Sequence, residues 1–183
     1  MLYIMRHGRT DWNELHKLQG RTDIPLNDDG RQMAEKAAEE YREVHFDVCY
    51  CSPLVRARET AEILLRGREV PIITDERLVE MSFGRFEGTE NSFDIPDCPI
   101  NELFFHPESY TASETEGESL DELFARTGEF LDDVAMPQVE AGKDVLIVGH
   151  GAMNSSIVSR IRNYPRRDFW KAGIENCKLM KLI

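Results

Sequence analysis

Apolar residues recur along this chain in two patterns: short runs, the last of them interrupted by Lys178 and Lys181, and stripes repeating every three to four positions. The runs are Met1–Met5, Asp47–Cys51, Val70–Ile73, Asp144–Val148 and Cys177–Ile183. Their length and lack of alternation predict buried strands. Pro71 cannot donate to a ladder, so the third run is expected at a sheet edge. The stripes predict amphipathic helices. Met33, Ala34, Ala37, Tyr41 and Val44 follow the capping residues of Leu26–Gly30. Leu54, Ala57, Ala61, Leu64 and Leu65 follow Ser52-Pro53, read as N-cap and first helical position. A third stripe runs from Leu120 to Val134 behind a Ser119…Glu122 capping box, and a fourth from about Asn154 to Ile161. Strands alternating with helices predict an α/β fold of three layers, α/β/α, with a mainly parallel central sheet covered on both faces.

The remaining stretches are irregular. Residues 10–25 read as an ordered loop and Asp75–Gly88 as a shaped one. Between Thr89 and Ala125 there is no lysine or arginine, whereas eight acids fall between Thr89 and Glu118. We expect a single domain over 1–183, with a lid or insertion at about 89–118.

Composition narrows the class. The chain has 183 residues, 41% of them hydrophobic, enough to bury a core. The opening apolar run is too short for a secretory signal or membrane span, so a cytoplasmic, soluble protein is expected. The net charge of −12 argues against nucleic acid or an anionic membrane as partner, but not against a small anion drawn to a few arginines in a cleft. A homodimer is left open. Cys49, Cys51, Cys98 and Cys177 lack metal-site or disulfide-scaffold spacing; they are expected as reduced thiols, with Cys49 and Cys51 packing on one strand face.

Chemistry concentrates at strand ends. The first strand runs into Arg6-His7-Gly8, the second leads to Arg56 in the first turn of a helix, and the fourth ends in Gly149-His150-Gly151. In a parallel sheet such ends face one crevice. A cation in the first turn of a helix is disfavoured by the helix dipole unless an anion joins it, so Arg56 suggests an anion site. Histidines and arginines without a carboxylate cage suit a phosphoryl group, whose oxygens match guanidinium forks. Neutral imidazole is a workable nucleophile near pH 7. His16, His45 and His106 lie outside these groupings and are read as surface or packing residues, as are Arg160, Arg162, Arg166 and Arg167. Arg9 and Arg21 adjoin the first motif, within reach of a substrate's non-phosphate part.

The segments MRHGRTDWN (5–13), LQGRTDIPLNDDG (18–30), CSPLVRARETA (51–61), ERLVEMSFGRFEG (76–88), GES (117–119) and VGHG (148–151) together resemble the histidine phosphatase superfamily, in its phosphoglycerate-mutase-like branch, over essentially the whole chain. That resemblance implies a phosphomonoester phosphatase working through a phosphohistidine, with His7 as the nucleophile. Arg6, Arg56 and His150 would hold the phosphoryl oxygens, and Glu80 would be the proton donor. Thr10 and Asn13 would line the phosphate pocket, Gln19 and Gly20 its rim, and Gly151 would join the phosphate-binding set. Neither metal nor cofactor is expected, since the cationic and hydrogen-donating side chains stand where other phosphoryl-transfer sites use metal ions. The rival readings are a cofactor-dependent phosphoglycerate mutase and a phosphate-binding regulatory module without turnover. The absence of basic residues from the lid favours hydrolysis over a mutase's need to grip a second anionic group, and predicts a leaving group that is not strongly anionic.

Overall fold

The computed structural model describes residues 1–183. In chain order it contains β1 (Leu2–Arg6), α1 (Asp11–Glu14), α2 (Asp28–Glu40), β2 (Val48–Cys51), α3 (Val55–Leu64), β3 (Ile72–Thr74), α4 (Asn101–Phe105), α5 (Leu120–Phe130), α6 (Met136–Glu140), β4 (Val145–Gly149), α7 (Gly151–Arg162) and β5 (Leu179–Lys181). The strands form one sheet in the order β3-β2-β4-β1-β5. All neighbours are parallel except β5, which runs antiparallel to β1 at one edge. β3, with Pro71 just before it, is the other edge, as its proline predicts.

Alternation along the strands divides the core in two. Leu2, Ile4, Tyr50, Val145 and Ile147 face α5 and α7, whereas Met5, Cys49, Cys51, Leu146 and Val148 face α2 and α3. The layers follow from this. A strand buried on both faces must be covered twice, so β4, fully buried from Val145 to Gly149, sits at the centre. Cys49 and Cys51 pack in the second cluster. All four cysteines are free and buried, and burial pushes the thiols of Cys51 and Cys177 up to about 11 and about 12. Those two stay protonated and inert.

Three helix starts differ from the sequence reading, two of them for long-range causes. α3 begins at Val55, not at Ser52-Pro53, because the cap comes from Asp23 in the preceding loop, whose Oδ1 accepts from Val55 N at 2.8 Å. α7 begins at Gly151, ahead of Asn154, because the Glu80 carboxylate satisfies its first amides. Within the expected loop 10–25, Asp11–Glu14 forms one helical turn, closed by a capping box between Thr10 and Asn13. The stripe of α5 also continues past Phe130 as a wider π-turn, Leu131–Ala135, before α6.

Candidate active site

The carboxyl ends of β1 and β4 lie side by side, with Arg6 paired to Gly149 and His7 N donating to Gly149 O at 2.9 Å. His7 and His150 therefore emerge next to each other, their ring centroids 5.2 Å apart and tilted by 59°. Both are buried. The Asn176 side-chain amide donates to His7 O at 2.6 Å, fixing the strand end from the β5 side.

The His7 ring has a definite orientation. Nδ1 lies 2.6 Å from Gly8 O, an acceptor only, so Nδ1 carries the proton. Nε2 is left with its lone pair, which accepts from Arg56 Nε at 3.3 Å. Arg56, 1% exposed, is held in place at both ends of its fork, with Nη1 donating to Thr22 O at 2.9 Å and Nη2 to Gly20 O at 2.7 Å. Burial, then the Arg56 and Arg6 charges, holds His7 well below the usual histidine range. Burial and Arg56 likewise hold His150 down. Burial also lowers Arg56, to about 10, despite Glu80 nearby.

Three buried polar atoms converge here without a partner: Arg6 Nε and both ring nitrogens of His150. Buried groups of this kind are costly when left unpaired. A tetrahedral anion seated beside Arg6 would give its Nε an acceptor and would take a bond from His150 only through the one ring nitrogen that carries a proton.

Glu80 stands on the far wall. Its carboxylate accepts from Met81 N and Met153 N at 2.8 and 2.9 Å through Oε1, and from Ala152 N at 3.2 Å through Oε2. The competing acids are elsewhere. Glu76 is exposed, and Glu87 is committed to a loop, accepting from Arg21 N and Thr22 N at 3.0 Å each, Thr22 Oγ1 at 2.6 Å and Phe83 N at 3.2 Å. Since Gly20 O and Thr22 O position Arg56, Glu87 acts on His7 through that loop. Gly20 takes a left-handed φ of 53°, and an added Cβ would strike the Glu87 carboxylate. Glu87→Gln would turn an acceptor into a donor facing amides, costing about 1–3 kcal/mol, read as a lower Tm, together with a raised KM.

A hollow of about 210 Å³ brings together Arg6, His7, Asn13, Gln19, Gly20, Arg56, Glu80 and Gly151. Of the expected set, Thr10 and His150 do not line it. His150 lies behind, in ring contact with His7. Thr10 is a correction: its hydroxyl bonds to Asn13 Oδ1 and Gln19 Oε1 at 3.1 and 2.9 Å, so it turns their amide donors outward rather than touching the anion. Lys17, Leu18, Phe83, Phe104, Ala152 and Trp170 complete the wall and were missed in the sequence, where no pattern sets these single residues apart. Arg21 is a strut, bonded to Glu80 O at 3.2 Å and Glu118 at 3.3 Å. The lid acids do not line this hollow; Asp94 alone borders an adjoining one that also contains Arg6.

His45, Asp47 and Asp144 offer donor atoms within 4.8 Å of one another. They sit at the amino ends of β2 and β4, opposite the site, where Asp47 and Asp144 already bind Asp144 N and the chain amino group. No helix is long and apolar enough to cross a membrane.

Two neutral buried histidines make a pH prediction. Unfolded histidine titrates near 6.5. Below that pH the unfolded chain binds protons that the folded one refuses, so stability falls with pH from 6.5 toward the lower folded values. Carboxylates lowered by their partners, such as Asp47 and Asp75, act in a separate window, below model values of 3.8. Unfolding free energies from pH 7 to 5 should therefore decline, and decline less steeply in His150→Gln. An identical slope would contradict it.

The model of the histidine phosphatase superfamily (branch 1) matches residues 2–183. An uncharacterised phosphatase of Bacillus subtilis, PhoE, is 34% identical over 86% of this chain and 75% of its own. A 2,3-bisphosphoglycerate-dependent phosphoglycerate mutase of Cytophaga hutchinsonii is 33% identical, over 82% and 72%. Among solved structures, a histidine-to-alanine variant of phosphoserine phosphatase from Entamoeba histolytica, in complex with phosphoserine, superposes with a TM-score of 0.81 at 29% identity, covering 97% of this chain and 87% of that one.

Proposed function

The chain belongs to the histidine phosphatase superfamily, and on that premise we propose that it hydrolyses phosphate monoesters of a small metabolite through a phosphohistidine at His7. One observation carries this reading. The His7 Nε2 lone pair faces a hollow bounded by Arg6, Arg56 and Glu80, beside buried nitrogens that have no partner within the chain.

Arg6 and Arg56, which line the hollow, take the phosphoryl oxygens, His150 supports the anion from behind His7, and Arg56 Nε exchanges its bond to His7 for one to the ester. His7 Nε2 then attacks phosphorus: the P–N bond forms, the P–O ester bond breaks, and Glu80, as the general acid, gives a proton to the leaving oxygen and is left as the carboxylate that three amides hold. The Nδ1–H···O=C bond to Gly8 steadies the positive charge that the ring gains. In the second half, Glu80 takes a proton from water as its oxygen attacks phosphorus. The P–N bond breaks, returning neutral His7 and inorganic phosphate. Charge spread over the three equatorial oxygens is met throughout by groups already in place. We place the reaction in the cytoplasm, with residues 89–118 as the lid.

Hydrolysis is favoured over the mutase reading because Lys17 is the only cation in the hollow beyond Arg6 and Arg56. A panel of phosphorylated metabolites, assayed in chelator for phosphate release and for transfer to 3-phosphoglycerate, tests this. Release without transfer is expected. Efficient transfer would establish the mutase, and no reaction with any ester the phosphate-binding module.

A further inference from the structure

The phosphoryl hollow opens into a second cavity of about 460 Å³, and Arg6, Asn13, Lys17, Leu18 and Phe104 line both. The second cavity holds what lies beyond the ester oxygen. It is far larger than a glycerol or serine remnant requires, since a water molecule takes up roughly 30 Å³. Its walls include three aromatic side chains, Trp12, Phe93 and Phe104, and between them the polar groups of Asn91, Ser92 and Asp94.

Phe93 is out of place for a purely structural residue. It is 59% exposed, yet its ring edges against Phe104 at 5.3 Å, and Phe104 stacks on Trp170 at 5.3 Å. An aromatic series thus leads from the lid surface to the wall of the phosphoryl hollow, and Phe93 at its outer end, also tilted against Phe105 at 4.9 Å, stays more than half exposed. Exposed flat rings bind flat rings. Amide and carboxylate groups beside them suit ribose hydroxyls and ring nitrogens. A third hollow beside Arg6 is lined instead by Arg9, Glu175 and Asn176 with Trp170 as its one aromatic, and lacks this character.

We propose that the leaving group is of nucleoside size, a flat heterocycle joined to a hydroxylated ring and stacked on Phe93 in this cavity. This rests on the phosphatase reading for turnover, but not for binding. The test compares a ribonucleoside 5′-monophosphate with glycerol phosphate. In the wild type, kcat/KM for the nucleotide should be higher by about ten-fold, the scale of one stacked base. Phe93→Ala should lose about that factor through KM on the nucleotide alone, and Phe93→Tyr should keep it. Equal loss on both esters, no loss, or a wild-type preference for glycerol phosphate would overturn the proposal.

Calorimetric titration of His7→Ala with the same two esters separates the two readings. Tighter binding of the nucleotide, weakened by adding Phe93→Ala, is expected. Such binding without wild-type turnover would overturn the phosphatase reading alone. Absence of any binding preference would overturn the subsite whatever the turnover.

Discussion

His7→Ala lowers phosphate release from every ester by about 10,000-fold or more, the scale for removing a covalent nucleophile. The loss falls on kcat, because Arg6 and Arg56 still present their donors to the phosphoryl group. The fold should survive: the His7 side chain hydrogen-bonds only to Gly8 O at its own strand end and to Arg56, and its ring lies against the His150 ring. Wild-type activity in chelator should be undiminished, and its loss would bring a metal into the mechanism. The same geometry fixes the acid side of the pH profile. Burial beside Arg56 and Arg6 keeps His7 neutral well below the usual histidine range, so the nucleophile stays available in mild acid. Undiminished turnover in His7→Ala would remove this residue from the chemistry.

Arg56→Lys is the second large effect, expected at about 100- to 1,000-fold in kcat. Charge is conserved, but three separate bonds are not. Nε reaches His7 while the two Nη atoms hold Gly20 O and Thr22 O. A lysine offers one point of charge and cannot meet all three directions. Two loop carbonyls are then left unpaired in a buried place, so Tm should drop as well. Full activity in Arg56→Lys would mean that charge alone suffices there and that the fork does not align the phosphoryl group.

Much of this site was legible because its residues follow the clearest strands. The runs ending at Arg6-His7 and Gly149-His150 have strong local signatures, and parallel pairing in register brings their ends together. Other features depend on partners far along the chain. Asp23 caps α3 across 32 positions, and Glu80 caps α7 across more than 70. Local sequence therefore placed the first start too early and the second too late. Thr10 was assigned to the anion, but an inward-turned hydroxyl next to Asn13 and Gln19 becomes their positioning group. The lid acids were expected to repel an anionic leaving group, yet none but Asp94 borders the hollows around Arg6 and His7, because position in sequence carries no direction in space.

The central claim is a covalent bond between His7 Nε2 and phosphorus. Rapid quenching of wild-type protein in the first turnovers, under alkaline conditions that preserve a phosphoramidate, followed by mass mapping of the peptides, tests it directly. Phosphate on the peptide containing His7, absent from His7→Ala and labile to acid, is the predicted result. Phosphate release in a single burst with no labelled peptide, or label on a residue other than position 7, would contradict it.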